Sequence, residues 1–308
     1  MYYFIVNPNS RSGKGALIWK ELRRTLRQKH ISYKAVFTGY RDHAVKLAAS
    51  VTAKASPEHP VYLIAVGGDG TIQEVLSGVK DLSCIYFGYI PTGSGNDFCR
   101  SMQLPQDPHE ALDCILKRKH IASMDVPVIS IKGRKSHFAI SCGIGFDAAV
   151  CHEVSVTPMK KILNRVGLGK LVYLFVALKQ LLFLKPVPVT LRMDEERIYP
   201  FHKVYFAAVM NQKYEGGGFK FCPDASPSDG YLDVIVVDGL SKLKVLFCLP
   251  TAFWGKHTQF TGIHIFRCKK VEVFSTVPLA VHKDGESAGI QETFSVSIEK
   301  EPVKIILP

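Results

Sequence analysis

Val61–Tyr62–Leu63–Ile64–Ala65–Val66–Gly67–Gly68–Asp69–Gly70–Thr71 begins as an unbroken apolar run and ends in a glycine turn. Six consecutive apolar residues suit a strand buried on both faces. The three glycines behind it let backbone N–H groups approach a bulky anion. A helix starting near Thr71 would point its positive end at the same spot. The segment therefore reads as a phosphate cradle. A tight strand–helix turn would ask for glycine on geometric grounds alone; three glycines together with Asp69 and Thr71 favour the cradle.

Outward from this point, strand and helix patterns alternate up to about residue 120. Tyr2–Val6, Tyr33–Phe37 and Cys84–Ile90 read as further strands. Lys14–Lys29, Asp42–Ala55, Thr71–Val79 and Pro108–Lys117 read as helices, with Asp42 as the expected N-cap of the second. Such alternation predicts a parallel sheet covered on both faces. In that sheet the loop Pro91–Thr92–Gly93–Ser94–Gly95–Asn96–Asp97–Phe98 falls on the same carboxyl edge as the glycine turn, where ligands bind. A third loop, Asn7–Pro8–Asn9–Ser10–Arg11–Ser12–Gly13–Lys14–Gly15, ends the first strand. It resembles a Walker A loop only faintly, because Pro8 stands where that motif needs its first glycine.

The pattern changes near Ser123–Pro127. Strand-like runs then dominate: Val126–Ile131, His137–Ser141, Val187–Met193, Val204–Met210, Leu232–Val237, Val271–Phe274 and Phe294–Ile298. The chain, 308 residues long, thus reads as two domains. Residues 1–124 form a nucleotide-binding α/β domain and residues 125–302 a mostly β substrate domain, with 303–308 free to return to the first. Gly143–Ile144–Gly145–Phe146 does not complete a dinucleotide fingerprint, since Ala148 fills its last position.

Net charge is +12, which favours phosphates, nucleic acid or an anionic membrane as partners. No helix-turn-helix, zinc finger or RNP motif is present, so a nucleic-acid partner is not expected. The eight cysteines contain no C-x-x-C pair and fit a reducing compartment. The first residues lack the pattern of a signal peptide. The most apolar stretch, Leu171–Leu184, is too short to span a bilayer. Flanked by Lys160, Lys161, Arg165 and Lys170, it suits either a greasy cleft with a basic rim or a core helix of the second domain. Phe247–Trp254 invites the same two readings.

Two downstream segments carry carboxylates. Val281–His282–Lys283–Asp284–Gly285–Glu286 sets two acids around a glycine, which suits a base near an alcohol in phosphoryl transfer, or equally a D-G hairpin turn. Asp224, Asp229 and Asp233 cluster around Ser226–Tyr231. They offer oxygen ligands to a hard cation, or form a polar turn with Asx caps.

Taken together, these segments resemble the diacylglycerol kinase catalytic family, which also holds sphingosine and ceramide kinases and small bacterial lipid kinases. The resemblance runs along essentially the whole chain. It rests on N-P-x-S-x-x-G-K at Asn7–Lys14, G-G-D-G-T at Gly67–Thr71, P-x-G-S-G-N-D-F at Pro91–Phe98, S-D-G at Ser228–Gly230 and D-G-E at Asp284–Glu286. G-G-D-G-T is shared with NAD kinases and phosphofructokinases; the Pro91–Phe98 loop is much more specific to lipid kinases.

The resemblance implies an NAD-kinase-like, two-domain architecture: a doubly wound α/β domain followed by a β-sandwich, with the active site in the cleft between them. It implies ATP contacts from Asn7, Asn9, Ser10, Ser12, Gly13, Thr38, Gly67, Gly68, Asp69, Gly70, Thr71, Ile72, Gln73, Gly93 and Ser94. Asp69 would organise a magnesium–phosphate network, and Asp284 and Glu286 would hold the general-base position. Ser226, Asp229 and Tyr231 would hold a structural magnesium ion, Ser226 and Tyr231 through their carbonyls. One position departs from the family pattern: Gln73 stands where Asn is usual, one methylene longer.

The implied activity is transfer of the γ-phosphoryl group of ATP to the hydroxyl of a membrane lipid such as diacylglycerol, by a cytoplasmic protein that binds the anionic membrane surface peripherally. Two other readings compete. A kinase for a soluble substrate such as NAD would leave Pro91–Phe98 unexplained. A catalytically silent nucleotide- or lipid-binding regulator would be expected to lack Asp69, Asp284 or Glu286, and all three are present. The acceptor lipid and the oligomeric state, a homodimer included, are left open by the sequence.

Overall fold

The computed structural model describes residues 1–93, 95–156 and 169–308. The chain starts as β1 (Tyr2–Val6), α1 (Lys14–Gln28), β2 (Tyr33–Phe37), α2 (His43–Thr52), β3 (Val61–Gly67), α3 (Asp69–Gly78), β4 (Ile85–Pro91), α4 (Asp97–Ser101), α5 (Pro108–Lys117) and β5 (His120–Met124). The strands form a sheet in the order β2-β1-β3-β4-β15-β5, where β15 (Val303–Leu307) arrives from the far end of the sequence. β15 runs parallel to β4 and antiparallel to β5.

The apolar run of β3 splits between two cores, as side-chain alternation on a doubly covered strand requires. Leu63 and Ala65 face one core with Ile5, Ile72 and Phe87. Ile64 and Val66 face the other with Phe4, Trp19, Leu22 and Leu112.

Two local expectations change here. α2 begins at His43, and Asp42 does not cap it with its side chain. Asp42 adopts a left-handed backbone, and the Glu74 carboxylate on α3 accepts the N–H groups of Asp42 and Ala44 instead. α3 starts two residues earlier than Thr71, with Asp69 in its first turn and Gly68 as the N-cap.

The second half contains β6 (Pro127–Ile131), β7 (Arg134–His137), β8 (Ser141–Gly145), α6 (Phe146–Val156), α7 (Gly169–Phe183), β9 (Val187–Met193), β10 (Arg197–Met210), β11 (Leu232–Asp238), α8 (Lys242–Thr251), β12 (Ile263–Cys268), β13 (Lys270–Lys283) and β14 (Glu286–Ile298). Their nine strands pair antiparallel in the order β12-β11-β10-β8-β13-β14-β6-β7, with β9 also pairing β10 and β13. Ile144, Leu191, Val209, Val234, Val273 and Val296 fill the inside of this β-sandwich-like body. α6, α7 and α8 cover the opposite face of β10 and β11 over Phe206, Ala208, Ile235 and Val237.

His137–Ser141 is not one strand. β7 ends at His137, β8 starts at Ser141, and the apolar residues between them, Phe138, Ala139 and Ile140, are buried outside the sheet. Their amides have other partners: Phe138 N–H donates to Pro127 O, and Ala139 and Ile140 donate to the Asp284 carboxylate. β13 and β14 are much longer than Val271–Phe274 and Phe294–Ile298, because their bulged middle stretches are half exposed and lack an apolar alternation. Among the described residues, no helix is long and apolar enough to cross a membrane.

Candidate active site

Three loops meet at the carboxyl ends of β1, β3 and β4. A Cβ on Gly67 would lie 2.2 Å from Thr71 Oγ1, so only glycine lets the chain turn into α3 there. A Cβ on Gly93 would lie 2.7 Å from the Gly68 α-carbon; the second loop therefore packs on the first backbone to backbone. Thr92 N–H donates to Gly67 O at 2.7 Å and strengthens the contact. The first loop joins through Asn7 Nδ2, which donates to Thr71 Oγ1, and through Ser10 Oγ, 2.7 Å from Thr92 Oγ1. Asn9 N–H closes a turn on Asn7 Oδ1, and Ser12 and Gly13 take left-handed backbones ahead of α1. Thr38 is buried at the end of β2, with its N–H on Val6 O. No side chain caps α3, so the positive end of that helix faces the loops uncovered by a cap.

Asp69 sits at the centre. One carboxylate oxygen, Oδ2, accepts the N–H of Asp97 at 3.2 Å; the other, Oδ1, is buried with no hydrogen-bond partner among the described residues. Burial, then the charge of Asp97, push its pKa up to about 7. A buried carboxylate oxygen without a donor fits an arriving hard cation or its bound water. The residues present are thus compatible with magnesium at Asp69. Asp97, which no sequence pattern distinguishes from the rest of its loop, belongs to the centre: Gly217 N–H donates to its Oδ2 at 2.7 Å, and Arg100 pairs with its Oδ1.

The D-G-E segment is the turn of the β13–β14 hairpin. Asp284 and Gly285 both have positive φ, as a two-residue connection of this kind requires. The turn also presents functional groups. Asp284 Oδ1 accepts the N–H groups of Ile140 at 2.7 Å and Ser141 at 3.0 Å, and Oδ2 accepts Ala139 N–H at 2.7 Å. Burial raises the Asp284 pKa and these three donors lower it; the net direction is upward. A carboxylate has about four acceptor positions, so one remains on Oδ2. Glu286 reaches across to the first domain, where its Cγ would lie 3.6 Å from a Cβ on Gly70, and Arg41 is 3.6 Å from its Oε2.

Other candidate residues are placed differently. Ile72 is buried in the core, which leaves only its backbone facing the loops. Gln73 donates to Ser77 Oγ at 3.1 Å, back along α3. Ser94, Lys160, Lys161 and Arg165 lie outside the described residues. Ser226, Asp229 and Tyr231 form a separate turn. There Asp229 Oδ1 accepts Tyr231 N–H and Oδ2 pairs with Arg267, while Asp125 joins by accepting Gly230 N–H. Both Asp229 oxygens are engaged there, and Arg267 is the group a cation would have to displace.

A second set of titratable groups was not anticipated. His282 on β13, Asp147 on α6 and Glu215 after β10 come together beside Asp284. Burial alone would lower the His282 pKa; Glu215 and Asp147 outweigh it and hold it up at about 9. Asp147 follows the glycine pair that fails as a fingerprint, and Glu215 precedes three glycines; no spacing rule links them.

The chain matches two family models: the diacylglycerol kinase catalytic domain over residues 1–128, and the YegS C-terminal NAD kinase beta sandwich-like domain over residues 141–306. It is 29% identical over 310 residues to a Bacillus subtilis (strain 168) protein named "Putative lipid kinase YtlR", covering 99% of this chain and 98% of that one. It is 28% identical over 253 residues to a "Diacylglycerol kinase" of Staphylococcus saprophyticus, covering 82% of this chain and 79% of the other. In fold it resembles the crystal structure of "a putative diacylglycerol kinase from Bacillus anthracis str. Sterne", with a TM-score of 0.75 and 22% identity over 100% of this chain and 95% of that one.

Proposed function

Because this chain belongs to the diacylglycerol kinase catalytic family, with a YegS-type C-terminal domain, we propose that it moves the γ-phosphoryl group of ATP onto the hydroxyl of a membrane lipid. The observation that carries this reading is the meeting of two half-sites. The glycine loops and Asp69 come from one domain, and the Asp284–Glu286 hairpin of the other closes on Gly70.

The loops at Gly67 and Gly93 cradle the phosphates with backbone amides and the α3 N-terminus. Asp69 would hold magnesium, whose charge offsets that of the phosphates when bound. The acceptor oxygen attacks the γ-phosphorus, the bond to the β–γ bridging oxygen breaks, and ADP leaves with the electron pair. Asp284 takes the hydroxyl proton on the remaining acceptor position of Oδ2; burial, which raises its pKa, suits that task. Glu286, half exposed at the cleft edge, orients the acceptor.

The membrane side of the proposal rests on one surface. Leu182 and Phe183 on α7, Leu243 and Phe247 on α8, and nearby Trp254 are 62–76% exposed. Lys242 Nζ donates to Leu182 O and ties the two helices together, and Lys244 stands beside it on α8, whereas Lys179 on α7 pairs with Glu153. An exposed apolar group among lysines suits an anionic bilayer. Val176, Leu181, Val245 and Cys248 of the same helices are buried in the core, in line with the core-helix reading, and the exposed residues would be the ones that meet the bilayer.

The test is transfer of labelled γ-phosphate from ATP into diacylglycerol, ceramide, sphingosine or undecaprenol in mixed micelles, with NAD as a soluble acceptor. Label in one lipid identifies the acceptor. Label in NAD alone would refute the lipid reading.

A further inference from the structure

A buried imidazole and two carboxylates meet next to the reaction centre with no task in phosphoryl transfer. His282 is fully buried, and its Nε2 lies 2.9 Å from Asp147 Oδ2 and 3.2 Å from Glu215 Oε1. The three donor atoms all lie within 4.8 Å of one another. One imidazolium offsets only one of the two carboxylates, and burial pushes the Glu215 pKa up to about 7, so a shared proton or a cation must neutralise the other. Glu215 Oε2 is buried without a well-formed hydrogen bond among the described residues, and the Ser141 hydroxyl beside it is the one side-chain donor that serves Glu215. Gly143, paired with His282 across the sheet, keeps the space clear: a Cβ there would lie 2.4 Å from Asp147 Oδ2 and 2.8 Å from His282 Nε2.

We infer that Asp147, Glu215 and His282 form a binding site for a divalent transition-metal ion. An ion about 2.1 Å from each donor needs neighbouring donors roughly 3 to 3.4 Å apart. The two spacings at Nε2, 2.9 and 3.2 Å, are already close to that. One imidazole nitrogen with carboxylate oxygens suits zinc, manganese or another first-row ion, whereas magnesium prefers oxygen alone. The ion would cancel both carboxylate charges, and Glu215 Oε2 and Ser141 Oγ supply further oxygen donors. The site links α6, the loop after β10 and β13. Through Ser141, whose N–H bonds Asp284, it also braces the hairpin turn. It is separate from both Asp69 and the Asp229 turn.

The experiment reads metal, not activity. Chelator-treated protein is incubated with Zn2+, Mn2+ or Mg2+, desalted, and its metal content measured. The expected result is about one Zn2+ or Mn2+ retained per chain, reduced at least tenfold in His282→Gln and Glu215→Gln, and unchanged in Asp229→Asn. Circular dichroism checks that each variant is folded. Co2+ titration of the unaltered chain needs no variant, and a visible absorption band from nitrogen-containing coordination is expected. Absence of both a retained ion and a Co2+ band, retention that survives His282→Gln, or retention lost in Asp229→Asn would overturn the inference, leaving a proton-bridged ion network.

Discussion

Gly68 and Gly93 face each other so closely that a Cβ on Gly93 would stand 2.7 Å from the Gly68 α-carbon. Two loops from adjacent strands are thereby fused into one phosphate-binding surface. Gly93→Ala must push them apart. Overpacking of this kind costs about 1–3 kcal/mol, and the expected outcome is a lower melting temperature with at least a tenfold loss of ATP affinity in calorimetry. Unchanged affinity would mean that the loop contact does not shape the site.

Asp69 gives a pH dependence with a definite sign. Its pKa in the unliganded fold, about 7, is above the ordinary 3.8 of a free aspartate. Folding therefore holds its proton, and this carboxyl makes the protein less stable as pH rises from about 4 through 7. Asp69→Asn removes that cost. It should raise the melting temperature at pH 8, through a stabilisation on the order of 4 kcal/mol, and change little at pH 4 or below. Magnesium–nucleotide binding needs the ionised carboxylate. It should release a proton near pH 7, seen as buffer-dependent heats, and weaken as pH falls below 7.

Residues 1–124 should not fold alone. β15, with Val303 and Ile305 fully buried, lies between β4 and β5, so that fragment would lack an inner strand of its sheet. In the full chain, Ile305→Ala should cost about 2–5 kcal/mol in denaturant unfolding. A cooperative transition in the 1–124 fragment would contradict this.

Phe247 and Trp254 should anchor the protein to bilayers. Burying one large apolar side chain is worth about 1.5–3 kcal/mol, so Phe247→Ser with Trp254→Ser should reduce vesicle binding at least a hundredfold in flotation assays. Binding should rise with anionic lipid content and fall with salt. Equal binding by the variant would exclude this surface.

The parts of the fold legible in the sequence are those whose cause is local. The β3 run and its glycines could be read because a doubly covered strand and a close backbone turn each impose their own composition. The Asp284–Gly285 turn was legible both as a hairpin and as a carboxylate site, and it is a hairpin whose carboxylate is buried. What escaped depends on distant partners. Phe138–Ile140 look like strand, yet their amides go to Asp284 or Pro127, and nothing local announces it. The capping role expected of Asp42 passes to Glu74, on another helix. Asp147, Glu215 and His282 stand on three separated segments, and only the sheet brings them together.

The most direct test of the kinase proposal is γ-phosphate transfer to lipid by the unaltered chain and by Asp284→Asn, with ATP binding measured on both. The expected result is label in a lipid acceptor that falls by at least about a hundredfold in the variant, while ATP still binds. Full transfer by Asp284→Asn, or label entering only a soluble acceptor, would contradict it.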